Sequence, residues 1–380
     1  MNTDSSIWVT GMSWSTALGS TIDGVWESLL HDDSGITEVT AAVPLRSNLA
    51  APVRDIPIEW PVSKRHHQLT VTTLSRALAD AAIVPDAPGL LPILGTSFGP
   101  HLDMGEVPPL SAWSIKATKD IGCANNPITV TTACSAGSDA ILIGLALLRA
   151  GAADVCVCGG ADVLTFGKRL GHSRLGTMSS NQLRAFDVRH NGTLLGEGAA
   201  FLVLEPAGRA RARGVRPHGV LVGAGSSNDA ASAVAPDSSG KNVVLAVRRA
   251  MQSAGLTPED VAVVNAHGSG TQVNDAVEVQ AYRQLFSNRL TPPVVYATKG
   301  AFGHTLGATG AIEAITILQT LKTGLVPPVH ELREVLPDFG LPIPSKLPMK
   351  IDAGAGISVT LGFGGFNTCL VFQSSGSATA

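Results

Sequence analysis

An α/β fold of stacked layers, built from two related halves, is what this sequence predicts. Three observations carry it. Short β-rich runs alternate with longer helical runs, the pattern of layered α/β proteins with largely parallel pairing. The β-rich runs are nearly continuous apolar stretches, so both sheet faces are expected to be covered. A strand–turn–helix unit also recurs. Val130-Thr131-Thr132-Ala133-Cys134 leads into a helix ending at Arg149, and Val295-Tyr296-Ala297-Thr298-Lys299 leads through a Gly-rich turn into a helix ending at Thr323.

In chain order, strands are expected at Ile7 to Thr10, Leu91 to Gly95, Ile128 to Thr132, Val155 to Cys158, Ala200 to Leu204, Val261 to Asn265, Val294 to Ala297, Gly356 to Leu361 and Thr368 to Phe372. Helices are expected at Thr21 to Leu30, Gln68 to Ala82, Ala136 to Arg149, Val243 to Ala254, Asp275 to Phe286 and Ala311 to Thr323, where apolar residues mostly recur three to four apart. The Arg-rich stretch Arg209 to Arg216, itself read as a solvated helix end, is the expected junction between halves 1–208 and 217–374.

Composition narrows the function. Charged residues are 15% of the 380, against about 25% in an ordinary globular protein. Net charge is −3, and 27 Lys+Arg face 30 Asp+Glu, so no basic excess points to nucleic acid. The mean hydropathy of +0.24 is positive, yet the best apolar run, Ala140 to Leu148, stops at Arg149, so no membrane span is expected. The N-terminus, Met1-Asn2-Thr3-Asp4-Ser5-Ser6, lacks a secretory pattern. Five cysteines in no framework spacing suggest a reducing cytoplasm, and Cys156-Val157-Cys158 has no second ligand pair for a metal. The small polar tail from Ser374 to Ala380 is expected to fray.

Cys134 stands between a β-rich run and a helix, among the small residues Ala133, Ser135, Ala136 and Gly137. A helix N-terminus favours thiolate, so a lowered thiol pKa is expected there. Cys123, Cys156, Cys158 and Cys369 lack this setting and are read as structural. His267 and His304 each stand in a Gly-rich turn at a strand end, the second turn opening with Lys299. Imidazole exchanges protons near neutral pH. A cysteine with a histidine could make a hydrolase or transferase pair, and a cysteine with two such histidines and a lysine, all at strand ends, is a more restrictive set. The remaining histidines, His31, His66, His67, His101, His172, His190, His218 and His330, have no such context and are read as structural.

These pieces, taken in order, carry a resemblance. Thr132-Ala133-Cys134-Ser135 is followed by Phe186-Asp187 through Gly192 and by Leu195-Gly196-Glu197-Gly198-Ala199. Ala266-His267-Gly268-Ser269-Gly270-Thr271 comes next, with Asn274, Asp275 and Glu278, then Lys299 through Gly303-His304 to Gly310 and Glu313. Gly362-Phe363-Gly364-Gly365 and Asn367 close the series. Over nearly the whole chain this resembles the β-ketoacyl-acyl carrier protein synthases, the type II elongating condensing enzymes of fatty-acid and polyketide synthesis.

The resemblance implies a thiolase-like αβαβα fold of two duplicated βα halves, the first carrying the cysteine and the second both histidine motifs. It implies that Cys134 takes an acyl group from the phosphopantetheine of an acyl carrier protein. His267 and His304 would act on a malonyl-type extender, stabilising the enolate formed as CO2 leaves. Backbone N–H groups of Cys134 and Phe363 would form an oxyanion hole, with Phe363 also a gate. Lys299 and Glu313 would pair to orient His304, Asp275 and Glu278 would support the first histidine turn, and Ser269 and Thr271 would bind the pantetheine arm. No metal or redox cofactor is implied. The expected partners are the carrier protein and a second subunit, as a homodimer or as a heterodimer with a related ketosynthase-like chain.

The chain departs from the family pattern at four places. Ser269 stands for a usual Thr, Thr360-Leu361 for a frequent Ser-Phe, and Phe366 for a usual Thr whose replacement could narrow the entrance. The stretch from Phe98 to Ser111 is shorter, and in the family it helps form the dimer contact and the acyl-pocket floor, so chain-length preference does not transfer. The alternatives are an acyltransferase that passes the acyl group to another nucleophile, or a chain-length subunit of a heterodimer. A metabolic thiolase would carry a second cysteine between Phe363 and Asn367, and none is there. Carrier proteins are acidic, and Lys64-Arg65-His66-His67 at a helix start is the expected basic docking rim.

Overall fold

The computed structural model describes residues 6–106 and 108–378. Ten strands form one sheet: β1 (Ile7–Ser15), β2 (Leu90–Gly95), β3 (Ile128–Val130), β4 (Val155–Asp162), β5 (Gly198–Pro206), β6 (Gly219–Asn228), β7 (Val261–Asn265), β8 (Val294–Tyr296), β9 (Ala355–Gly362) and β10 (Phe366–Ser374). The spatial order is β3-β2-β4-β5-β1, then β6-β10-β9-β7-β8. Read inward from each outer edge, both halves have their third strand, then second, fourth, fifth and first. The pairing senses repeat too. β2 is parallel to β3 and β4, and β7 to β8 and β9. β5 is antiparallel to β4 and β1, and β10 to β9 and β6. The halves meet where Ile7, Trp8 and Val9 of β1 run antiparallel to Leu221, Val220 and Gly219 of β6. The fold is a duplication.

Two related helices fill the space between the halves: α2 (Ala136–Arg149), after α1 (Val62–Asp80), and α6 (Thr309–Thr323). Every residue of α6 from Thr309 to Thr320 is buried, as expected of a helix covered on all sides. The two starts cross closely. A Cβ on Gly137 would lie 2.8 Å from the Gly307 carbonyl oxygen, and one on Gly310 would lie 1.7 Å from Ser138 Oγ, so each copy needs its glycine. Outside, α1 covers the first half, while α4 (Lys241–Ala254) and α5 (Gln272–Phe286) cover the second.

The structure corrects several expectations. Pairing is parallel only at the outer strands: every pair from β4 through β5, β1, β6 and β10 to β9 is antiparallel, and of these only β9 and β10 are joined by a short turn. β6 is missed by composition: Gly223 and Gly225 weaken a strand pattern, but a Cβ on either would come within 2.4 Å of the backbone of Ala250 in α4. The helix expected from Gln68 begins at Val62, which turns part of Lys64-Arg65-His66-His67 inward. Arg65 is buried in an ion pair with Glu197, and His66 Nε2 sits 2.9 Å from the Ala161 carbonyl oxygen, so this stretch is not a basic rim. Lys64 remains outside, over the Trp60 ring. Arg213, in the stretch read as solvated, bonds the buried Glu205 at 2.7 Å and the Ala81 carbonyl at 3.0 Å. Of the tail read as frayed, Ser375–Ala378 forms a 3-10 turn, while residues 379–380, like residues 1–5, lie outside the described residues. Among the described residues no helix is long and apolar enough to cross a membrane.

Candidate active site

The duplication locates the site. After β3 the chain reaches Ala133 with φ of 50°, makes a 3-10 turn over Ala133–Ser135 and enters α2. In the second half Leu306 has φ of 54°, followed by a 3-10 turn over Leu306–Ala308 and α6. Positive φ in a non-glycine residue costs on the order of 1–3 kcal/mol and gathers at functional sites. Here it aims the next residue at the helix start. That residue is Cys134 in one copy and Gly307 in the other, which corrects the sequence echo that paired Cys134 with Lys299. Lys299 belongs to a short helix, Lys299–Phe302, inserted in the second copy. A side chain at 307 has no room: its Cβ would lie 2.4 Å from Ser97 N, and the Ser97 and Gly307 N–H groups both donate to Asp162 Oδ2 at 2.7 Å.

Cys134 is 5% exposed. Burial pushes its thiol up, against the opposing pull of Lys168, the Phe363 N–H and Lys299. The thiol is therefore raised and not lowered as its place at a helix start suggests, with desolvation of a thiolate at the bottom of a cavity as the largest cause. The resting group is a neutral thiol.

His267 and His304 face each other edge to face, with centroids 5.2 Å apart. Both are held well below the usual histidine range, first by burial and then by Lys299. They are neutral imidazoles. The Leu306 N–H donates to His304 Nδ1 at 3.2 Å, so in a neutral ring the proton sits on Nε2. His304 can thus donate a hydrogen bond without carrying charge. His267 Nδ1 has no hydrogen-bond partner among the described residues.

A polar frame fixes the His267 turn through the backbone. Glu278 accepts from the His267 and Gly268 N–H groups, from Asn274 Nδ2 and from Tyr282 OH, each at 2.7 Å. Asp275 accepts from Phe186 N at 2.8 Å, Gly270 N at 3.1 Å and His190 Nδ1 at 3.0 Å. Lys299 Nζ donates to the His267 carbonyl oxygen and, at 2.6 Å, to Glu313 Oε1. The lysine expected to orient His304 thus bonds His267 instead. Burial pushes the Glu278 and Glu313 carboxyls up to about 7, with Lys299 among the groups opposing it.

Cys134, His267 and His304 open into one cavity of about 510 Å³, together with Ser269, Thr271, Asn274, Phe363 and Asn367. The Ser269 and Thr271 hydroxyls are 2.9 Å apart on its wall, and the exposed Arg46 lies at the same cavity. Phe366 does not line it. Its ring lies against Gly364 instead, so it does not narrow the entrance. Sequence reasoning missed His172, a wall residue contributed by α3 (Phe166–Arg174), a helix also missed because its composition is polar and Gly-rich. Asp162 and Lys168 were missed as well. No spacing rule reveals them, because β4 and α3 reach the site only through the fold. Among the described residues no cluster of His, Cys, Asp and Glu is placed to hold a metal ion.

A buried thiol, two neutral imidazoles and a backbone N–H on the sulfur can support acyl transfer and stabilise a developing enolate. Comparison with known proteins agrees. Residues 118–210 match the family model "Beta-ketoacyl synthase, N-terminal domain", and residues 218–333 match "Beta-ketoacyl synthase, C-terminal domain". The 3-oxoacyl-[acyl-carrier-protein] synthase 2 of Mycobacterium tuberculosis (strain ATCC 25618 / H37Rv) is 32% identical over 408 residues, covering 96% of either chain. The structure titled "The ishigamide ketosynthase/chain length factor" superposes with a TM-score of 0.89 at 28% identity, covering 98% of this chain and 99% of that one. A β-ketoacyl synthase from Burkholderia phymatum STM815 gives 0.86 at 28% identity, covering 97% and 99%. With a thiolase-like architecture, matching models for both halves and full-length relatives, this chain belongs to the β-ketoacyl synthase family.

Proposed function

We propose that the protein is a carrier-protein-dependent β-ketoacyl synthase of fatty-acid or polyketide synthesis. The carrying observation is the convergence of Cys134, His267 and His304 on one cavity. Cys134 Sγ attacks the acyl thioester of the carrier, and the carrier thiol leaves. The N–H groups of Cys134 and Phe363 take the charge that develops on the carbonyl oxygen. A malonyl-type extender then binds, with Ser269 and Thr271 on its pantetheine arm. His304 Nε2–H and His267 hydrogen-bond its thioester oxygen, CO2 leaves, and the enolate carbon attacks the acyl-cysteine. The new carbon–carbon bond forms as Cys134 is released, giving a 3-ketoacyl product. CO2 loss supplies the driving force, so the scheme calls for no metal or redox cofactor. Lys299, Glu313, Asp275 and Glu278 hold the histidine turns.

The likeness to the M. tuberculosis 3-oxoacyl-[acyl-carrier-protein] synthase 2 supports the carrier as donor. A second subunit, identical or related, is part of the reading. The likeness to the ishigamide ketosynthase/chain length factor and the exposed Leu102 (57%) and Phe166 (41%) support it. The halves are assigned to 1–208 and 217–374, around the junction that the two family models also straddle. The five unbridged cysteines suit a cytoplasmic protein.

Acyl- and malonyl-carrier proteins incubated with the enzyme are expected to give acyl mass on Cys134, then CO2 and a 3-ketoacyl carrier. Loading without CO2 release would instead assign the acyltransferase alternative. The pH profile adds a second expectation. Because His267 and His304 are both held far below 6.5, kcat/KM for decarboxylation should stay level as pH falls through 6.5, with its acid limb well below. A limb centred near 6.5 would contradict the neutral pair.

A further inference from the structure

His172 stands in the cavity with no part in this chemistry. It occupies the last turn of α3, is 6% exposed and lines the same cavity as Cys134, His267 and His304. Its ring stacks on Phe363 with centroids 5.4 Å apart and planes inclined by 19°, and the Phe363 N–H reaches the Cys134 sulfur. The imidazole therefore lies beside the thioester position. Its Nδ1 is 2.9 Å from Thr177 Oγ1. That hydroxyl can donate to Nδ1, or can donate to the His172 carbonyl oxygen at 3.3 Å and accept from Nδ1 instead. Either tautomer is thus supported, and Nε2 can act as donor or acceptor. Nε2 has no hydrogen-bond partner among the described residues.

A second unpaired group lines the same cavity. Thr193 N donates to the Thr177 carbonyl oxygen at 2.8 Å, which seats Thr193 next to the residue that holds His172. Thr193 lines the cavity, is 2% exposed, and its Oγ1 has no hydrogen-bond partner among the described residues. A hydroxyl, like Nε2 here, can donate or accept. Burial, with Lys168 nearby, pushes His172 down to about 4, so the wall is neutral and suits an uncharged oxygen. Buried polar groups are ordinarily satisfied, so the buried unpaired Thr193 hydroxyl, with the His172 Nε2 on the same cavity wall, marks a place for ligand atoms.

Resting on the ketosynthase reading above, we propose that His172 and Thr193 select acyl groups bearing a hydroxyl or keto oxygen near the thioester over saturated acyl groups of equal length. A hydroxyl or keto oxygen pairs with both groups. An alkyl chain in the same place displaces water and leaves them unpaired, and sites built to hydrogen-bond a substrate discriminate against analogues that lack the group.

The test compares kcat/KM for Cys134 acylation, by intact mass, with carriers bearing 3-hydroxyacyl, 3-ketoacyl and saturated chains of one length. Wild type is expected to favour the oxygenated carriers about tenfold or more, the scale of one or two hydrogen bonds. His172→Phe keeps an aromatic ring against Phe363 and should bring the ratio close to one. His172→Gln keeps a hydrogen-bonding group and should restore part of it, and Thr193→Val should lower the ratio independently. A wild-type ratio near one overturns the proposal, as does an undiminished ratio in both His172→Phe and Thr193→Val. Malonyl-carrier decarboxylation without an acyl donor is measured on the same variants. A change there with an unchanged acyl ratio would assign the wall to the extender carboxylate and overturn the proposal. No acylation from any carrier would instead sink the ketosynthase reading.

Discussion

Cys134→Ala is expected to gain no acyl mass from any acyl-carrier and to lose condensation by a factor on the order of 10⁶, the scale seen when an acyl-transfer nucleophile is removed. The same variant should still release CO2 from a malonyl-carrier. The histidines are held by Glu278, Lys299, Leu306 and Thr309, none of which depends on the thiol. Intact mass and CO2 release read the two outcomes separately. Acyl mass appearing on another residue would remove Cys134 from its assigned role. The buried neutral thiol also implies that reaction with a small alkylating agent is slow at neutral pH and quickens as pH rises, because the thiolate is the reactive form.

Lys299→Met is the second large effect. It removes the cation between the His267 carbonyl and Glu313 and leaves two buried carboxyls, Glu278 and Glu313, without it. Removing one partner of a buried pair costs about 3–5 kcal/mol of stability. Decarboxylation should fall too, since the His267 carbonyl loses its lysine donor. Lys299→Met with Glu313→Gln should recover much of the stability in urea melts and little of the activity. The sign with pH follows from Glu313, already raised to about 7. An acid whose folded pKa is raised favours the folded state below its unfolded value and loses that contribution as pH rises through the folded one. Losing the lysine raises the carboxyl further, so the stability deficit should widen from pH 6 to pH 8. A constant deficit, or one larger at pH 6, would contradict it.

Much of the site was legible because its residues stand in short local patterns. Cys134, His267 and His304 sit at strand ends among small residues, and strand ends beside helix starts are where this architecture opens. What was not legible is long-range. Arg65 reads as a surface cation until Glu197, on a segment far along the chain, takes it inside. His172 reads as an ordinary polar residue until α3 folds it against Phe363. Lys299 was expected to serve His304, its neighbour in sequence, yet its Nζ finds the carbonyl of His267. The thiol pKa was misjudged because the helix terminus is visible in sequence and the depth of the cavity is not. Strand β6 was lost because its glycines serve the approach of α4, a reason that exists only in three dimensions.

The paired turns at Cys134 and Gly307 carry a consequence of their own. A duplicated fold offers two geometrically matched reaction centres per chain, and this one uses a single centre. The first copy contributes sulfur. The second gives up its own side chain at the matching point, where Ser97 and Asp162 occupy the room, and contributes two imidazoles, His267 from the turn after β7 and His304 from beyond the inserted helix. Division of labour between the copies makes the centre indivisible. Neither half, severed from the other, holds a complete set of reacting groups, so the duplication that began as symmetry survives as interdependence.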